Sequence, residues 1–169
     1  MPRDPNAFYC IEVRKRPVND DVGKYVADHV YLALLKGPSS HAIDTVSFDP
    51  SNSADGMTDA LPDEHNDKEP VAMVKGDAEW EELKENFKAL ASHRDYQLSS
   101  HNCCHAVIEA LAGTSFPNTR KAMEFAHTAN KRWHQASNMR QRLTSYFNQA
   151  PRTDSSANLS PADYFRKKL

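Results

Sequence analysis

The feature that most constrains this chain is the uninterrupted apolar run Val30-Tyr31-Leu32-Ala33-Leu34-Leu35, followed closely by Gly37-Pro38-Ser39-Ser40. The run is too short for a core helix and ends at strong turn residues, so 25–35 reads as a well-buried strand. His41 to Phe48 returns as a further strand, and the two predict an antiparallel hairpin. Upstream, Phe8, Cys10 and Ile11 mark a short first strand over Ala7 to Val13. Arg14 to Lys24, with Pro17, Asn19-Asp20-Asp21 and Gly23, reads as a loop.

Asp49 to Pro70 changes character. Its acids at 55, 59, 63, 64, 67 and 69 and its scarcity of large apolar residues predict a solvated loop, a mobile flap beside the site. It lacks the Asp-x-Asp-x-Asp-Gly spacing of a calcium loop. Val71 to Val74 predicts a short strand. Asp77 then caps a helix whose Trp80, Leu83, Phe87 and Leu90 recur every three or four residues, a stripe facing the core. A second helix runs from Cys103 to Ala112 and stops at Gly113.

Thr119 to Gln149 reads as one or two helices with the stripe Ala122, Ala126, Ala129, Trp133, Ala136, Leu143 and Phe147. Basic residues at 120, 121, 131, 132, 140 and 142 face one acid, Glu124, and read as a solvated helix face. An anionic membrane surface or acidic partner is the minor alternative. Residues 152–161 are Ser/Asn-rich and read as part of a flexible tail. The expected organisation is a core over 1–115, a helical extension packed on it over 116–150, and the tail over 151–169. The fold class is α+β: a small antiparallel sheet packed on a cysteine-bearing helix, with a helical C-terminal extension.

Composition narrows function by exclusion. The 169 residues suit a single domain, at ~100–200 residues per domain. Hydrophobic residues form 39% and charged residues 26%, with a mean hydropathy of −0.74. No stretch approaches the ~20 apolar residues of a membrane span. Met1-Pro-Arg-Asp-Pro has no apolar core of the kind a Sec signal carries, so synthesis in the cytoplasm is the expectation. Three cysteines, two of them adjacent, do not make a disulfide framework. A net charge of −2 argues against nucleic acid as a partner.

The chemistry concentrates in Asn102-Cys103-Cys104-His105. A cysteine in a helix's first turn faces unpaired backbone N–H groups and the positive end of the macrodipole, which favour thiolate. It then needs an imidazole to hold the ion pair and protonate a leaving group. His29, at the start of the apolar run, and His41, twelve residues on, are candidates. Each also has a plain reading: both cysteines as small core residues, each histidine as a satisfied strand end. His101 and His105 with Cys104 could suggest zinc, but adjacent cysteines lack the CxxC loop geometry and no second ligand pair appears.

The order of these parts resembles a known family. His29-Val-Tyr-Leu-Ala-Leu-Leu, His41-Ala42, Ser47-Phe48-Asp49-Pro50 and Tyr96-Gln-Leu-Ser-Ser-His-Asn-Cys103-Cys-His-Ala-Val107 are similar to motifs of the circularly permuted papain-like superfamily, which includes NlpC-type amidases and lecithin:retinol acyltransferase-like enzymes. In its permuted members the histidine strand precedes the cysteine helix, as here. The match covers 25–113. Asp28 stands where the family often has glycine, Cys104 directly follows the matched cysteine, and nothing after Phe116 has a counterpart.

The resemblance implies catalytic Cys103, His29 and His41: nucleophile, acid–base and orienting group. Hairpin counting offers a rival for the third place. A turn centred near Pro38 sets His29 opposite 47–49, which favours Asp49, with Asp44 a lesser option. We take His41 as the expectation. The function implied is a cysteine hydrolase cleaving an amide or isopeptide bond without cofactor or metal, in a bacterial cell-wall amidase or an effector secreted by a dedicated system. Its substrate would be a peptide, peptidoglycan or protein, and its partners a secretion chaperone or immunity protein. The alternatives are a thiol acyltransferase or lipid-acting enzyme of the same fold, and a non-catalytic binding module.

Overall fold

A computed structural model of the chain describes residues 3–37, 41–49, 65–92, 96–135 and 139–144. Four strands, β1 (Phe8–Asn19), β2 (Tyr25–Lys36), β3 (Ala42–Ser47) and β4 (Asp67–Lys75), form one antiparallel sheet in the order β3-β2-β1-β4. Helices α1 (Ala78–Ser92), α2 (Cys103–Ala112) and α3 (Thr119–His134) follow, with the short turn of helix α4 (Met139–Arg142). The class is α+β, and no described helix is long and apolar enough to cross a membrane.

The expected hairpin is present, with β2 pairing β3 from Tyr31↔Ser47 to Leu35↔Ala42. Both faces of β2 are buried. Val30, Leu32 and Leu34 join the main core, while Tyr31, Ala33 and Leu35 form a smaller cluster on the other face. Residues 38–40 of the expected turn lie outside the described residues.

The first strand corrects the sequence reading. Arg14 to Asn19 is not loop but the second half of β1, paired with β2 through Arg14↔Tyr31, Arg16↔His29 and Val18↔Ala27. Charged side chains obscured the alternation that a half-buried strand carries. Pro17 is tolerated because β4 pairs β1 only as far as Lys15↔Asp67, so beyond that point one side of β1 is an edge. The turn is confined to Asp20–Lys24, where Gly23 has φ 84° and its N–H donates to the Asp20 carbonyl at 2.9 Å.

A second correction concerns Asp67 to Pro70, expected in the loop but part of β4. Pro70 again lies on an edge strand, beside a register shift between Ile11 and Glu12. The remainder of the expected flap, 50–64, lies outside the described residues.

One core joins the sheet to all three longer helices. Trp80, Leu83 and Phe87 of α1 are buried, and Leu90 packs against them, as their spacing requires. Asp44 of β3 fastens α1 to the sheet: Trp80 Nε1 donates to its Oδ2 at 2.8 Å, Lys84 Nζ lies 3.0 Å away, and Arg3 also pairs with it. Ala122, Ala126, Ala129 and Trp133 of α3 belong to the same core, as does Leu143. The three alanines let α3 approach its neighbours closely. Ala136, Phe147 and the tail over 151–169 lie outside the described residues.

Candidate functional site

The site forms where α2 begins. Asn102 caps that helix: its Oδ1 accepts from the N–H groups of Cys104 (2.9 Å) and His105 (3.4 Å), and its own N–H donates to His105 Nδ1 (3.3 Å). The cap thereby takes the amides after Cys103 and leaves the Cys103 N–H outside it. Asn102 is itself fixed, because its Nδ2 donates to Leu98 O and to Asn130 Oδ1, each at 2.8 Å. Cys103 therefore sits in the first turn of a firmly anchored helix, as its sequence context suggests.

Opposite it, β3 stops at Ser47, so β2 residues before Tyr31 have an edge that β3 no longer covers. There the His29 side chain and the Val30 backbone N–H act on the Cys103 thiol. Both Cys103 and His29 are fully buried. Burial alone would raise the thiol's pKa. The Cys104 thiol, the His29 charge and hydrogen bond, and the Val30 amide outweigh it and hold Cys103 well below the ordinary thiol range.

Its neighbour goes the other way. Burial, the hydrogen bond to Cys103 and the charge there push Cys104 well above the ordinary range. The sulfurs are 3.9 Å apart, so the two thiols do not share one behaviour. Cys10, on β1, is raised by burial and then by Glu12.

The three expected site residues are not all brought together. Cys103 and His29 meet. His41 does not join them: it is exposed just before β3, beside the Leu35↔Ala42 end of the hairpin, while His29 lies beyond the Tyr31↔Ser47 end. At ~3.3 Å per residue, β3 alone, from Ala42 to Ser47, puts about 17 Å between the two ends of the hairpin. Spacing along the chain placed His41 well, but register decides neighbours across a sheet, and register sends it to the wrong end.

Asp49 lies two residues past the end of β3, beyond the Tyr31↔Ser47 pair that borders His29, and is 3% exposed. Asp44, the lesser option, is committed to Trp80 and Lys84.

The histidines around the start of α2 have local work. His101 packs on Phe48 with ring centroids 5.1 Å apart. His105 completes the cap and meets His134 edge-on at 6.3 Å; burial first, then the His134 charge, lowers its pKa. Three basic residues of α3 and α4 have local partners: Arg120 on Glu124, Arg132 over the Tyr25 ring and Arg142 on Asp20.

Sequence reasoning missed two supports. Asn130 holds the cap, and Trp133 Nε1 donates to the carbonyl of Asp28 at 2.9 Å, next to His29. A signal for the first was available: Asn130 is a polar residue set among Ala126, Ala129 and Trp133 on the apolar face of α3, where burial requires a partner.

The fold and site thus define an α+β protein with a buried cysteine–histidine contact at a helix N-terminus. Comparison with known protein families, curated proteins and solved structures finds no significant match.

Proposed function

We propose that the chain is a cysteine hydrolase of the permuted papain-like kind, cleaving an amide or isopeptide bond. The observation that carries this reading is the Cys103 thiol, in the first turn of α2, held acidic by the neighbouring His29 side chain. The histidine strand preceding the cysteine helix, and the sheet packed on that helix, support the same reading.

In this mechanism the Cys103 thiolate attacks the carbonyl carbon and forms a C–S bond. The Cys103 N–H and the helix N-terminus stabilise the developing oxyanion. Protonated His29 gives its proton to the leaving nitrogen as the C–N bond breaks. Neutral His29 then takes a proton from water, whose oxygen attacks the thioester and releases the acid and the thiolate. Asp49, buried just past the end of β3 on the His29 side of the hairpin, takes the orienting place first assigned to His41, and no cofactor enters.

The test is the pH dependence of iodoacetamide labelling at each cysteine, by mass spectrometry, in the native chain and His29→Ala. Labelling confined to Cys103 below neutral pH and shifted upward in the variant is expected. Slow labelling at both Cys103 and Cys104, indifferent to His29, overturns the reading and favours a binding module. A stable acyl-thioester formed from phospholipid but not from peptide would assign the acyltransferase instead.

A further inference from the structure

Arg16 stands directly across from His29 in the β1–β2 register. Cross-strand partners present their Cβ atoms on one face at ~4.5–5.5 Å, so guanidinium and imidazole issue from neighbouring points. A guanidinium and an imidazole thus share one cross-strand pair.

Arg16 differs from the other basic residues of this face and its surroundings. Arg14 is fully buried on Glu12, with Nε at 2.9 Å and Nη2 at 2.8 Å from its Oε2, and His65 Nδ1 is 3.1 Å from Nη1. Lys68 lies 3.6 Å from Glu12 and Lys15 3.8 Å from Asp28. Arg16 forms no ion pair among the described residues, and its Nε is buried without a hydrogen-bond partner. A half-buried guanidinium carries an uncompensated desolvation cost unless something else supplies the anion.

We propose that Arg16 is a specificity-determining residue, receiving a carboxylate of the substrate close to the bond that Cys103 attacks. The substrate class is then an amide or isopeptide flanked by an acidic side chain or a free carboxylate. Guanidinium matches carboxylate in a two-pronged geometry that lysine does not reproduce. This inference rests on the cysteine-hydrolase reading.

The experiment compares two alkylating agents of similar size and reactive group, neutral iodoacetamide and anionic iodoacetate, at Cys103. Rates are measured in the native chain, Arg16→Gln and Arg16→Lys, with circular dichroism and thermal melting to establish folding. The expected result is a fall in the iodoacetate-to-iodoacetamide ratio of about tenfold in Arg16→Gln, the scale of one lost charge contact at short range. The ratio divides out any change in the thiol itself, and Arg16→Lys, which keeps the charge but not the fork, falls between the native chain and Arg16→Gln.

A ratio unchanged in Arg16→Gln overturns the proposal. If that variant does not fold, a ratio in Arg16→Lys well below that of a neutral thiol standard overturns it equally. Slow labelling of Cys103 by both agents, with the ratio still dependent on Arg16, instead sinks the nucleophile reading and leaves the carboxylate site standing.

Discussion

Trp133 on α3 donates its indole N–H to the main-chain carbonyl of Asp28, 2.9 Å away, and Asp28 immediately precedes His29. The donor is 1% exposed and the bond lies inside the core. α3 therefore holds the backbone from which the candidate acid–base residue projects. Changing that one atom should be felt in stability and at Cys103 together.

Trp133→Phe retains most of the ring and removes the donor. Leaving a buried carbonyl without its partner costs about 1–2 kcal/mol. The urea midpoint should fall with the slope unchanged, and iodoacetamide labelling of Cys103 at neutral pH should slow. An unaltered midpoint and rate would remove Trp133 from the support of the site.

Asp49 and His41 are separated by two substitutions. Asp49→Asn should shift the labelling profile of Cys103 toward higher pH and slow it about tenfold or more near neutrality, because the imidazole loses its orienting charge. His41→Ala, at the far end of the hairpin, should leave the profile within about twofold. The opposite pattern would restore the spacing argument over the register.

Asp44→Ala breaks the contacts that bind β3 to α1. It strands the ammonium of Lys84, itself 8% exposed, and the Trp80 indole N–H without their shared acceptor. The expected loss is about 3 kcal/mol, read by chemical denaturation. A change below about 1 kcal/mol would mean that Arg3, Trp80 and Lys84 find other partners at little cost.

The acidity of Cys103 also predicts a pH dependence of folding. Its pKa is depressed in the native chain, so between that value and the ordinary thiol value of ~8.5 the unfolded chain binds a proton that the folded chain lacks. Stability from this group therefore rises with pH, is complete above ~8.5, and is lost as pH falls through the depressed value. Cys104 is raised and has the opposite sense: its contribution is present below the ordinary value and lost as pH rises past the raised one. The unfolding free energy of the native chain minus that of Cys103→Ser should increase with pH below ~8.5. A flat difference would contradict the thiolate assignment.

Much of the fold was legible because its periodicity is clean. The run 30–35 marked β2, the three-and-four spacing from Trp80 to Leu90 marked α1, and Gly113 closed α2 where the chain places its end. Arg14-Lys15-Arg16-Pro17 was not legible as strand, since local charge and proline favour a turn and only pairing with 28–31 makes it a strand. Asp67 to Pro70 was lost to the same override.

At the site, Cys103 could be nominated from residue type and element position, and His29 only through the resemblance of its strand. The third partner could not be taken from sequence spacing, because two positions separated by a fixed number of residues can lie at opposite ends of one hairpin. Asn130 and Trp133 were hidden for a different reason. A helix stripe announces that its residues are buried, but not which distant backbone they touch.

The thiol and its imidazole come from elements formed long apart along the chain: β2 near its beginning, α2 well past its middle. Before those elements dock, Cys103 has neither His29 nor the Val30 amide beside it and is an ordinary thiol. Its acidity is thus a property of the finished tertiary structure, and a chain that is incomplete, half-folded or locally opened holds its sulfur in reserve. Reactivity at this single atom can serve as a built-in gauge of native assembly, silent until the last helix of the site is seated.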